Sequence, residues 1–171
     1  FKNYSTGMYD FSDKDDGVNF ANYNGVFGMF MPDAMSSFTI NGETFYVTAN
    51  EGDARDYWFD AADETECLAA GGLEYDDDDG CLAYSEEMRL DDFDLDDTTF
   101  PDEDELLHKT QLGRLKTTTA NNCGDTDDDG DLDFVCSYGA RSFTIWDSNG
   151  DLVWDSGDQI SHLVASNGEW I

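Results

Sequence analysis

The chain has 171 residues, and its 40 acidic against 8 basic side chains give a net charge of −32 at pH 7. Nucleic acid and anionic membrane surfaces are held through Lys and Arg, so the composition excludes both as partners. So much like charge opposes compaction unless cations screen or bind it, which points to a salty medium or to bound divalent cations.

High charge with low hydropathy can signal disorder. Here aromatics make up 14% of the residues and fall in alternating runs, so a folded all-β chain is expected, with loop confined to about 60–97. Along the chain, "SDKDDGVN" (Ser12–Asn19) comes first, with Asp13 and Asp15 a minor candidate for cation binding. "SFTINGETFYVTAN" follows, alternating Phe38 and Ile40 before an Asn41-Gly42 turn with Phe45 and Val47 after it. Asn-Gly favours the type I′ turn, so this is a β-hairpin.

"NEGDARDY" (Asn50–Tyr57) carries acids and an arginine at close spacing. Glu51, Asp53 and Asp56 could hold a metal, and Arg55 could pair bidentately with a phosphate oxygen. The alternative is structural, with Arg55 and Arg141 neutralising buried carboxylates. Residues 60–97 read as an acidic loop insertion. Its Asp76–Asp79 run suits a solvated face, because consecutive acids point in different directions. Past Pro101, "DEDELLHK" suits a short helix, since Pro is accepted in a first turn and acids suit the positive helix end. "GRLKTTT" (Gly113–Thr119) and "DFVCSYGA" (Asp133–Ala140) read as strands on either side of an aspartate-rich loop.

That loop, "GDTDDDGDLDF", sets Asp125, Asp127, Asp129, Asp131 and Asp133 at alternate positions around Gly130. Numbered from Asp125, they fall on positions 1, 3, 5, 7 and 9 of an EF-hand loop, with Gly130 at the turn position 6. Position 12 is Cys136, not a bidentate Glu, and no helices flank the loop. The expectation is a calcium loop on a β scaffold, with a further ligand from elsewhere. Last comes "SFTIWDSNGDLVWDSGD", a second hairpin, with Phe143 and Ile145 before a turn at Ser148–Asp151, then Leu152 and Trp154. The word "SFTI" occurs in both hairpins, and repeated antiparallel hairpins suggest two to three blades of a larger β-propeller-like ring.

Four cysteines allow three connectivities; short loops favour Cys67–Cys81 and Cys123–Cys136, each adding about 3 kcal/mol in the loop-entropy account. Four free buried thiols are the other reading. Disulfides imply an extracellular setting, secreted or at the cell surface. His108 and His162 lack metal-ligand spacing, and no G-x-S-x-G elbow is present. There is no membrane-spanning stretch and no signal peptide. A chain that begins at Phe1 reads as a processed product or an internal piece.

"SDKDDGVN", "MPDA" (Met31–Ala34), "TANEGDARDY" (Thr48–Tyr57), "LGRLK" (Leu112–Lys116), "GDTDDDGD" (Gly124–Asp131) and "GARSFTIWD" (Gly139–Asp147) occur in this order. Together they resemble the choice-of-anchor I family, which includes secreted proteins labelled alkaline phosphatase-like and mesenchyme-specific cell-surface glycoproteins. The resemblance implies an extracellular, calcium-associated, propeller-like protein, of which this chain is an internal piece. The cysteine-bearing segment around Cys67–Cys81 departs from the family pattern. Two functions follow as expectations. One is a calcium-loaded structural or surface protein that associates with copies of itself, as an oligomer or filament, or with the rest of its own polypeptide. The other is a calcium-dependent phosphatase built on Glu51, Asp53 and Arg55.

Overall fold

The computed structural model describes residues 1–120 and 123–168. From the N-terminus run β1 (Lys2–Asn3), β2 (Val26–Gly28), β3 (Pro32–Ile40), β4 (Glu43–Asn50) and β5 (Asp56–Phe59). Then come α1 (Glu64–Ala69), β6 (Glu74–Asp76), β7 (Gly80–Ser85), β8 (Glu87–Arg89) and α2 (Glu103–Leu106). The chain continues through β9 (Lys116–Thr118), β10 (Val135–Ser137), β11 (Ser142–Trp146), β12 (Leu152–Asp155) and α3 (Gln159–Ser166).

The strands form three mostly antiparallel sheets, in the orders β1-β2-β10-β9-β8, β12-β11-β4-β3 and β5-β7-β6. The fold is therefore all-β in character, with short helices. Both expected hairpins are present, and they lie side by side: β4 pairs with β3 on one flank and β11 on the other. Asn41 and Gly42 both take positive φ, 54° and 85°, as a type I′ turn requires. At the second hairpin, Asp147 accepts the N–H groups of Asn149 and Asp151 through Oδ1, a side-chain turn that closes the loop. The helix expected after Pro101 is a single turn, α2. One pairing breaks the antiparallel pattern: β2 and β10 run parallel, Val26 to Val135.

The segment expected as loop is more ordered than its composition suggested. α1 is capped by Asp63, whose carboxylate accepts the Glu66 N–H, and β7 pairs with both β5 and β6. Cys67 joins Cys81 across Cα atoms 5.3 Å apart, tying α1 to β7. A disulfide and backbone pairing hold this acidic stretch where its side chains supply little apolar surface. Its Asp76–Asp79 run is the tight turn between β6 and β7, where Asp76 accepts the N–H groups of Asp78 and Asp79.

The core lies against the five-stranded sheet, where Tyr4, Tyr9, Val26, Leu90, Phe100 and Val135 are almost fully buried. The four-stranded sheet is organised differently. Thr48, Asn50, Ser142 and Thr144 are buried and bonded to one another: Asn50 Nδ2 donates to Ser142 Oγ and Thr144 Oγ1, and Thr48 Oγ1 donates to Asn50 Oδ1. Phe38, Ile40, Phe143, Leu152 and Trp154 are exposed.

Candidate functional site

Leu132 anchors the aspartate loop. Its side chain enters the core, its N–H donates to the Asp94 carbonyl and its own carbonyl accepts the Asp96 N–H. With Leu132 turned inward, alternation leaves Asp131 and Asp133 outside the core. Cys123 and Cys136 close the loop by a disulfide, with Cα atoms 6.0 Å apart. Asp128 (φ 62°) and Gly130 (φ 107°) make the tight bend between.

Within the bend, Asp125 accepts the Asp128 N–H at 2.7 Å and the Gly130 N–H at 3.2 Å, one on each carboxylate oxygen. Asp133 Oδ2 accepts both the N–H (2.7 Å) and the hydroxyl of Thr126. These bonds orient two carboxylates before any ligand arrives. Asp125, Asp127 and Asp133 each bring an oxygen within 4.8 Å of the others, the one group among the described residues placed to hold a metal ion. Asp129 and Asp131 are not part of that group; Asp129 Oδ1 instead accepts the Asp131 N–H. The side chains at positions 1, 3 and 9 of the expected loop thus converge; position 7 is expected to offer the Asp131 backbone carbonyl, not its carboxylate. Cys136 at position 12 is buried in β10 and bonded to Cys123, so it offers no ligand.

Crowded carboxylates carry an electrostatic cost. The neighbouring Asp129 charge, then loss of hydration, then Asp133 and Asp125 raise the Asp127 carboxyl above its usual range. Asp131 is pushed up to about 6, first by loss of hydration and then by Asp129, Asp96 and Asp133. A divalent cation would relieve that repulsion. An all-oxygen, acid-rich donor set suits a hard ion, with water or carbonyl oxygens completing its shell.

The "NEGDARDY" acids lie elsewhere. Glu51 and Asp53 line an open cavity of about 670 Å³ together with Asp33 of "MPDA". The backbone there is tight. Gly139, at φ 70°, leaves no room for a Cβ, which would overlap the Glu51 carbonyl, so the two segments meet backbone to backbone. Arg55 does not line this cavity. It forms a two-pronged ion pair with Glu86, Nε to Oε2 at 2.8 Å and Nη2 to Oε1, and its guanidinium is largely exposed. Spacing gave no hint of Glu86; Asp33 stood in a family motif but without an assigned role. The minor pair also separates: Asp13 bonds Lys14 and Arg114, whereas Asp15 accepts from Asn19. His108 bonds Thr110 on the surface, and His162 stacks on Phe20 with Asp158 beside it.

A family model described as the choice-of-anchor I domain matches residues 1–169. The chain belongs to the choice-of-anchor I family. No curated protein and no solved structure matches it. A choice-of-anchor I domain with two disulfides fits a cell-surface-associated or extracellular protein. Among the described residues, no helix is long and apolar enough to cross a membrane.

Proposed function

We propose that this choice-of-anchor I domain is a calcium-binding structural protein of the cell surface or extracellular matrix. The convergence of Asp125, Asp127 and Asp133 within 4.8 Å on a disulfide-closed loop carries this reading. Calcium would offset part of the loop's negative charge and lock the loop to the core through Leu132. The exposed apolar face of the four-stranded sheet supports self-association or docking to the rest of a larger propeller-like domain, because uncovered sheet of this kind favours pairing. The test is thermal unfolding with calcium and with a chelator, on the native chain and on Asp127→Asn. A midpoint raised by calcium only in the native chain supports the reading.

Calcium-dependent phosphate ester hydrolysis is the second reading. The open cavity holding Glu51, Asp53 and Asp33 favours it. The Arg55–Glu86 pair weighs against it, because the guanidinium is already engaged by a carboxylate. Turnover of p-nitrophenyl phosphate in calcium, lost in Asp53→Asn, would establish it.

A further inference from the structure

The chain holds four arginines, and three of them, Arg89, Arg114 and Arg141, line one cavity of about 270 Å³. They arrive from separate places. Arg89 ends β8, Arg114 lies two residues before β9, and Arg141 immediately precedes β11. The fourth wall is the Asp10–Asp13 segment.

Forty acids against eight bases would let every cation find a carboxylate, yet among the described residues two of these three form no ion pair. Among the described residues, Arg114 pairs with Asp13 at 3.1 Å. Arg89 and Arg141 spend donors on backbone carbonyls instead: Arg89 Nη1 on Arg114 O at 3.1 Å, Arg141 Nη1 on Asp10 O at 2.6 Å. The Arg141 guanidinium lies 5.4 Å from the Phe11 ring centroid, and Phe11 is itself packed on Tyr4, Tyr9 and Tyr23. Arg141 also holds φ 50°, a left-handed conformation that costs a non-glycine residue energy and that collects at functional sites. Burial lowers its pKa, so the charge is held in place at a cost.

The two acids in the cavity wall already have hydrogen-bond partners. Asp10 accepts the N–H groups of Ser12 and Asn19. Asp13 is shared between Lys14 and Arg114. What remains is a small cleft where three guanidiniums face the carboxylates of Asp10 and Asp13, and where, among the described residues, no carboxylate is hydrogen-bonded to Arg89 or Arg141. Planar guanidinium forks match the paired oxygens of phosphate and sulfate. We propose that the Arg89–Arg114–Arg141 cleft binds a tetrahedral oxyanion, a phosphate or sulfate group. The site is separate from the aspartate loop and needs neither calcium nor catalysis.

Calorimetric titration with sodium sulfate and with phenyl phosphate, at constant ionic strength set by sodium chloride, tests this. The net charge of −32 repels anions from the molecule as a whole, and salt confines any attraction to the local site, within a Debye length of about 8 Å. One saturable site is expected, weakened about tenfold or more by Arg89→Gln, the loss of one or two charge-assisted hydrogen bonds. Asp78→Asn, on the exposed turn between β6 and β7 and outside the cleft, should leave affinity within about twofold. Arg141→Gln should abolish binding; where it fails to fold, Arg89→Gln and Arg114→Gln still decide the matter. Phenyl phosphate bound tighter than sulfate marks an esterified phosphate on another molecule as the natural group. Sulfate bound as well or better marks a free or sulfated oxyanion. Absence of saturable binding for both probes, or equal binding by the native chain, Arg89→Gln and Arg114→Gln, overturns the proposal.

Discussion

Lys2 and Asp155 form a buried ion pair at 3.3 Å, with side chains 7% and 17% exposed. Lys2 Nζ also donates to the carbonyls of Ala140 (3.0 Å) and Gly157 (2.6 Å), so the N-terminal strand is tied to the end of β12. Burial pushes the Asp155 carboxyl up, but hydroxyls of Thr144 and Ser142, the Gly157 N–H and Lys2 together hold it below its usual range. A depressed carboxyl stabilises the fold above the unfolded-state value of about 3.9, and that stability is lost as pH falls through the folded value. Asp155→Ala strands a buried ammonium and should cost about 3–5 kcal/mol in urea unfolding. Asp131 has the opposite sign. Raised to about 6, it opposes folding at neutral pH, and the opposition fades as pH falls through that value toward about 3.9. Without divalent cation, the loop should therefore destabilise the chain less at mildly acidic than at neutral pH. Protons should also compete with calcium, so the calcium-induced rise in melting midpoint should shrink once pH drops below that value.

At the scale of elements, the Cys123–Cys136 bond spans 13 residues and encloses the whole aspartate loop. Replacing both cysteines by serine should cost about 3 kcal/mol in the loop-entropy account and should weaken calcium binding as well, because the loop ends are then released. Equal calcium affinity in the double variant would show that Leu132 and the hydrogen bonds to Asp125 and Asp133 are enough to shape the loop. Elements with local signals were readable from the residues. Asn41-Gly42 dictates its turn, the short cysteine spacings predict both disulfides, and the acids after Pro101 mark α2. What the residues did not disclose depends on distant partners. The parallel β2–β10 pair joins residues more than a hundred positions apart, and β6, β7 and β8 form in a stretch whose composition reads as loop. Loop periodicity placed five aspartates together; folding brings carboxylate oxygens of Asp125, Asp127 and Asp133 within 4.8 Å of one another, with Asp129 beside them. The arginine cleft has no local signature at all, since its three guanidiniums come from separate segments of the chain.

For the whole molecule, the net charge of −32 is a field that every stabilising contact works against. Sodium chloride alone should raise the melting midpoint by screening, levelling off at high concentration, with no dependence on any single aspartate. The apolar face of the four-stranded sheet is the other global feature. Phe38, Phe143 and Trp154 are exposed on it, and Trp154→Asp should reduce self-association seen by analytical ultracentrifugation if that face is the contact. Whether the loop holds calcium is decided by thermal unfolding in concentrated sodium chloride, with calcium or with a chelator. Screening is then already complete, so any further gain reports specific binding. Calcium at a hundred times its dissociation constant adds about 2.7 kcal/mol, which for a chain of this size moves the midpoint by roughly 5–10 °C. That shift is expected in the native chain and should be lost in Asp127→Asn. No shift, or an equal shift in the variant, would contradict calcium binding by the loop and leave the aspartates as a salt-adapted surface.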